Sequence, residues 1–577
     1  MRWRIPVSLA LVPHALALWP IPRTLKAGTG FLVLSPQFSI NVNVADPPQD
    51  LLDAVSETEG FLKTDKLQRL VLGRGSSDAG ALTTAAVLPS LTLTLQNTLP
   101  VLPISAEAVK DVANRSEGYT LSIPGDGKAA VLSANSTLGL FRGLTTFSQF
   151  WYDLNGVTYT NVAPVSIVKD IPAYVWRSFT PTEEGWCSQS YSRTVDSCLT
   201  LLAICKSFPV ADVKRTLDAM SWVKINMFHW HIVDSQSFPL SLPEFPELAQ
   251  KGAYSSSEVY SPADVQEIVS YAAAHGIDVL MEIDSPGHTA IIAESHPEYI
   301  ACSQASPWST FANEPPAGQL RLASPATVNF TAALFTAAAR VLPSKYFSTG
   351  GDELNTQCYA QDAQTQADLK KAGKNLEQAL NTFTQATHGA LANLGKTAVV
   401  WEEMVLEHNL TLSNNTVVMV WISSENAAAV AAKNFRLVHA PSDYFYLDCG
   451  AGEWIGKDPE GNSWCDPFKT WQKSYTFNPL ANISAAQAHL VLGGQQLLWT
   501  EQSDPQNLDS IAWPRAATSA EIFWTGATRP DGAPLEGTEA LPRLHELRYR
   551  MVQRGVRAIP LQPQWCVLRP GLCNIDS

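Results

Sequence analysis

The sequence predicts an α/β fold, a (β/α)8 TIM barrel preceded by a smaller N-terminal α+β domain, and three observations support it. From about residue 170 onward, short apolar strands alternate with amphipathic helices to the end of the chain. Before that point the strands alternate with period two and few helices intervene. Polar and aromatic residues also collect where the later apolar strands stop, which is where a parallel barrel carries its chemistry.

From Trp19 to Ile167, Phe38 to Val44, Leu91 to Leu95 and Tyr119 to Ile123 alternate as half-buried strands do. One helix follows Asn135-Ser136-Thr137, running through Phe141, Leu144 and Phe147 to Phe150. No catalytic cluster falls here, so residues 19–168 are expected to form the N-terminal domain and 169–577 the barrel.

After Asp170-Ile171-Pro172 the strand candidates are Lys224 to His231, Ile277 to Ile283, Tyr346 to Gly350, Ala398 to Trp401, Val417 to Trp421, Leu437 to Ala440 and Leu490 to Trp499. Between them lie helices such as the one opened by Ser261-Pro262-Ala263-Asp264, with Ser as N-cap, Pro first and Asp three residues after the cap. Its Val265, Ile268, Val269 and Ala272 fall on one helix face.

The strand ends read His229-Trp230-His231 to Asp234, Glu282-Ile283-Asp284 to His288, Gly350-Gly351-Asp352-Glu353, Trp401-Glu402-Glu403, Trp421, Tyr446-Leu447-Asp448 and Trp499-Thr500-Glu501. Two adjacent carboxylates repel, and glycines before them let both turn toward one cleft. Aromatic walls with a few carboxylates suit a sugar, whose faces stack on rings and whose hydroxyls need polar partners.

The net charge of -14 argues against nucleic acid or an anionic membrane as partner. A basic start, Met1-Arg2-Trp3-Arg4, with an apolar run ending near Ala17 and Leu18 has the layout of a secretory signal over residues 1–18. Sequons at Asn114, Asn135, Asn329, Asn409, Asn414 and Asn482 fit a glycosylated, extracellular protein. Of nine cysteines, Cys302 with Cys358, Cys449 with Cys465 and Cys566 with Cys573 can form three loop staples, leaving Cys187, Cys198 and Cys205. No cofactor is called for, and a homodimer is left open.

The spaced motifs Gly350-Gly351-Asp352-Glu353, His229-x-His231-x-x-Asp234, Glu282-Ile283-Asp284-x-Pro286-Gly287-His288 and Trp499-x-Glu501 resemble the β-N-acetylhexosaminidases of glycoside hydrolase family twenty, the secreted fungal enzymes in particular. The resemblance implies removal of terminal N-acetylhexosamine from oligosaccharides such as those of chitin, with retention and no protein nucleophile. The substrate's 2-acetamido oxygen would attack the anomeric carbon. Glu353 would be general acid and then base, and Asp352 would orient the acetamido group and stabilise its positive charge. By the same resemblance Tyr446 would bond the acetamido oxygen, and Trp401, Trp421 and Trp499 would wall the sugar. Arg177, Asp448 and Glu501 would hold ring hydroxyls, with Asp234 and His288 tuning Glu353.

The chain departs from the family in two places. Ser348 stands where the family has His before the Gly-Gly-Asp-Glu run. Ser178 to Ser207 carries the three surplus cysteines, shows no recognisable strand end and displaces part of the first barrel strand. It reads as translated intron or a misplaced exon boundary, or else as a surface insertion. Two other functions compete: a zinc amidohydrolase beginning its site at His229-x-His231, and a carbohydrate-binding barrel without turnover.

Overall fold

The computed structural model describes residues 18–96, 100–182 and 208–575. The expected signal residues 1–17, and Cys187, Cys198 and Cys205, lie outside them.

The N-terminal domain is a six-stranded mixed sheet: β1 (Lys26–Asn43), β2 (Ala86–Leu95), β3 (Tyr119–Ile123), β4 (Ala130–Ala134), β5 (Tyr152–Leu154) and β6 (Val157–Asp170), ordered β1-β2-β4-β3-β6-β5. β1 is long enough to pair twice, antiparallel to β6 through Lys26 to Val33 and parallel to β2 from Leu32 onward. Helix Thr137–Ser148 is capped by Ser136, whose hydroxyl accepts from Gly139 N at 3.0 Å. It is buried along nearly its whole length, and Gly143 makes that closeness possible: a Cβ there would sit 2.3 Å from Leu132 Cδ1. The last strand of the sheet runs to Asp170, two residues past the expected boundary.

Eight parallel strands close the barrel: β7 (Trp176–Pro181), β8 (Met227–Val233), β9 (Asp278–Ile283), β12 (Tyr346–Ser348), β13 (Thr397–Trp401), β14 (Val417–Val420), β15 (Arg436–His439) and β16 (Val491–Leu498). Between β9 and β12 a small hairpin, β10 (Ile300–Ala301) with β11 (Gln319–Leu320), folds a long loop back over the barrel mouth. The barrel strands are buried along nearly their whole length because helices cover the outer face, and most of them are short apolar runs. The Ser261 cap is a full capping box on helix Pro262–Ala274.

The first strand corrects an expectation. Ser178 is not where the barrel breaks: residues 176–181 pair with Gly493 to Leu498 of β16, and Ser178 and Phe179 pair with Met227 and Phe228 of β8. Thr182 then bridges to His231. Of the doubtful stretch, residues 178–182 are therefore barrel wall, and 183–207 lie outside the described residues.

The two domains are clamped at the N-terminal ends of the strands. Glu117 accepts from Arg142 Nε at 3.0 Å and from Arg177 Nη2 at 2.6 and 2.7 Å, all three side chains buried. Burial alone would raise the carboxyl, but the two guanidiniums hold it down to about 2. Arg115 pairs with buried Asp278 at 2.7 Å, and Lys224 with Asp170 at 3.3 Å. Removing one partner of such a pair costs about 3–5 kcal/mol, because the remaining charge is stranded. Trp19 adds a stitch, its indole donating to Ala517 O and its backbone N–H to Gln149.

All three expected disulfides are present: Cys302–Cys358, Cys449–Cys465 and Cys566–Cys573. Among the described residues, no helix is long and apolar enough to cross a membrane.

Candidate active site

The C-terminal ends of the strands open into one cleft of about 680 Å³, lined by His288, Asp352, Glu353, Trp401, Trp421, Tyr446, Asp448, Trp499 and Glu501 among others. Nine of the eleven residues expected to bind or react with substrate thus meet in one place. Asp234 lies one contact behind, with His288 Nδ1 3.0 Å from its Oδ1.

Arg177 is the exception and is corrected. It is the second residue of β7, at the opposite end of the barrel, and its guanidinium is taken by Glu117, Lys224 O and Tyr174 O. An arginine at the start of a parallel strand points to the stability face of the barrel, not to the reactive one.

The acidic pair stands on a turn that only glycine can make. Gly350 has φ +65, and a Cβ there would lie 1.8 Å from Asp284 Oδ1. Gly351 N donates to that same oxygen at 2.9 Å, while Gly350 O accepts from Trp401 N at 3.1 Å. Glu353 has φ +55, an uncommon conformation for a side-chain-bearing residue that is found disproportionately at functional sites. The turn thereby sends Asp352 and Glu353 into the same cleft.

Asp352 is buried, and its Oδ1 has no hydrogen-bond partner, so an acceptor is presented to whatever fills the cleft. Burial, then the neighbouring Asp284, pushes its carboxyl well above the ordinary range, against the pull of His288. The His288 Nε2 lies 3.4 Å from Glu353 Oε2 and 3.8 Å from Asp352 Oδ2. Burial disfavours charge on this imidazole, but Asp234, Asp284 and Asp352 together raise it well above its usual value. His288 thus bridges the acidic pair and Asp234.

Beneath the cleft lies a second network centred on Glu282. His229 Nε2 is 2.8 Å from its Oε2, Trp401 Nε1 donates to its Oε1 at 3.1 Å, and the Ser348 hydroxyl donates to its Oε2. Against its burial, His229, His231 and Ser348 hold Glu282 down to about 2. Ser348 therefore keeps a polar contact under the site at the position where the resemblance expects His.

The walls are aromatic. Trp421 and Tyr446 stack at 6.3 Å, Tyr446 and Trp499 are 6.1 Å apart, and Trp401 and Trp499 are 6.4 Å apart. Asp448 Oδ1 accepts from Trp499 N at 3.2 Å. Burial raises Asp448 to about 7 and pushes Glu501 well up.

Three groups were missed by reading the sequence. Glu314, before Pro315-Pro316 in the loop that holds the β10–β11 hairpin, lines the cleft, lies 3.3 Å from His288 Nδ1 and is raised to about 8 by burial and by Asp234. Trp308 of the same loop and Trp464, 64% exposed on the Cys449–Cys465 loop, form the rim. A carboxylate inside a long, proline-rich loop after a barrel strand was the available signal for Glu314. His231 with Glu282 and Asp284, and His288 with Asp234 and Glu314, are close enough to share a cation, but each set is already joined internally by imidazole–carboxylate contacts.

Chemically, the arrangement offers a proton donor, a buried carboxylate with an open acceptor, and flat apolar walls around a ring-sized space. The model of "Glycosyl hydrolase family 20, catalytic domain" matches residues 204–527, and that of "beta-acetyl hexosaminidase like" matches residues 18–150. A "Beta-hexosaminidase" of Arthroderma benhamiae is 34% identical over 485 residues, 81% of this chain and 75% of that protein. A "Chitooligosaccharidolytic beta-N-acetylglucosaminidase" of Bombyx mori is 32% identical over 96% of this chain and 89% of its own length. The fold is similar to that of the exo β-N-acetylglucosaminidase from Vibrio harveyi in complex with N-acetylglucosamine, with TM-score 0.71 at 20% identity, covering 98% of this chain and 80% of that one. A catalytic-domain match over more than half the residues, together with relatives above 30% identity along most of their length, places this chain in glycosyl hydrolase family 20.

Proposed function

We propose that the chain is a β-N-acetylhexosaminidase that releases terminal N-acetylhexosamine from β-linked oligosaccharides with retention, the acetamido group of the substrate acting as nucleophile. The observation that carries the reading is the turn at Gly350-Gly351, which brings Asp352, with an open buried acceptor, and Glu353 into one aromatic-walled cleft. Retaining enzymes with their own nucleophile need two carboxylates on opposite sides of the scissile bond. Adjacent acids on one turn suit a division in which Glu353 serves the leaving oxygen and Asp352 the internal nucleophile.

In this reading Glu353 donates its proton to the glycosidic oxygen and then takes one from water, with His288 and Asp234 holding it in place. Asp352 Oδ1 accepts from the acetamido N–H. Tyr446 bonds the acetamido oxygen, Trp401, Trp421 and Trp499 enclose the N-acetyl group and ring, and Asp448 and Glu501 take ring hydroxyls. The rival zinc site has less support: His229, one of its two proposed first ligands, is held by Glu282 beneath the cleft and does not line it. Turnover by Glu353 and Asp352 would exclude the purely binding barrel. Secretion and glycosylation belong to the same proposal, and Asn114, Asn135, Asn329, Asn409, Asn414 and Asn482 are all exposed.

The test is substrate choice. A chromogenic β-N-acetylglucosaminide should be hydrolysed readily and the matching β-glucoside scarcely at all. Equal cleavage of the two would show that no internal nucleophile is used.

A further inference from the structure

We propose that Glu403 is a positioning residue that fixes the Trp421 wall of the cleft and ties it to the turn bearing Asp352 and Glu353. The proposal rests on the reading that Trp421 encloses the sugar.

Strand β13 ends at Trp401, and a short helix, Glu403–Leu406, follows directly. Two consecutive side chains of that helix reach the two halves of the site. Glu403 Oε2 accepts from Trp421 Nε1 at 2.9 Å, and the residue is only 5% exposed. Met404 packs against Gly351, where a Cβ would meet its Cγ at 2.5 Å. Just before them, Trp401 N donates to Gly350 O at 3.1 Å. One segment thus carries the orientation of Trp421 and supports the acidic turn from below.

An indole N–H buried behind a binding face needs an acceptor, or the ring turns toward one. Glu403 supplies it without lining the cleft, so it acts through Trp421 and not on substrate. Burial, reinforced by like charge on Glu402 and Glu353, raises Glu403 to about 8. A glutamine carbonyl at this position would offer the indole N–H an acceptor of the same reach and shape.

The experiment compares Glu403→Ala, Glu403→Gln, Trp421→Phe and the double variant Glu403→Ala with Trp421→Phe, all in the full chain. The readouts are kcat and KM on the chromogenic N-acetylglucosaminide, and N-acetylglucosamine affinity by calorimetry. Glu403→Ala should lower kcat/KM about ten- to a hundredfold, the range set by one buried donor losing its acceptor, with more of the loss in KM than in kcat. Glu403→Gln should stay within about threefold of the unmodified enzyme, because the acceptor is restored. With the indole N–H already deleted by Trp421→Phe, adding Glu403→Ala should cost less than about threefold more, the non-additivity expected of groups in contact.

A Glu403→Gln loss as large as that of Glu403→Ala, additive losses in the double variant, or an unchanged Glu403→Ala would each overturn the proposal. Turnover by the unmodified chain reports on the function assigned above. The ratios of sugar affinity among the variants report on Glu403 alone, so the two can fail separately.

Discussion

Replacing Glu353 by Gln is expected to lower hydrolysis by roughly 10²–10⁴, the usual worth of a positioned general acid–base group, while binding of N-acetylglucosamine is preserved. The amide keeps the volume of the carboxyl and can still meet His288, 3.4 Å away, so the cleft should keep its shape. What it cannot do is deliver a proton to the glycosidic oxygen or take one from water. Comparing kcat with the competitive inhibition constant of N-acetylglucosamine separates these effects, and a variant with near wild-type turnover would remove Glu353 from the mechanism. Substrates with a good leaving group should suffer less, because they need less protonation in the first step.

Asp352→Asn should cost roughly 10²–10³ in kcat, the scale of losing one preorganised electrostatic partner of the transition state. The free carboxyl is pushed well above its usual range, first by burial and next by Asp284. An ionised Asp352 is therefore poorly compensated until positive charge develops on the acetamido nitrogen 
beside it. The oxazolinium ion supplies the missing counter-charge, so the interaction strengthens along the reaction coordinate and acts on rate more than on ground-state binding. A thiazoline mimic of that ion should accordingly lose more affinity in Asp352→Asn than N-acetylglucosamine does. Equal losses for the two, measured by inhibition, would show that Asp352 binds the acetamido group without responding to its charge.

Much of the barrel was legible because buried parallel strands are apolar runs that stop abruptly: Val417 to Val420 and Arg436 to His439 fall within a residue of the expected segments. The first strand was not, since Trp176-Arg177-Ser178-Phe179-Thr180-Pro181 is no Val/Ile/Leu run and takes its place only through pairing with β16 and β8. Arg177 was misplaced for a related reason: a motif residue near a strand does not reveal which end of the barrel it faces. β1 was read only in its second half, because Gly28, Gly30 and the irregular register between Leu34 and Ser39 interrupt the alternation. Glu314 and the rim tryptophans sit on loops, where no periodicity reports orientation. The acidic pair was legible because two glycines before two carboxylates serve little purpose in a core strand, and the structure gives them the positive φ values that glycine permits.

The most direct test of substrate assistance is the anomer released first. Attack by the acetamido oxygen from the face opposite the leaving group, followed by water from the original face, gives net retention. Proton NMR over the first minutes of reaction, before mutarotation mixes the products, should show β-N-acetylglucosamine. An initial α-anomer would mean a single inverting displacement and would contradict the roles given to Asp352 and Glu353.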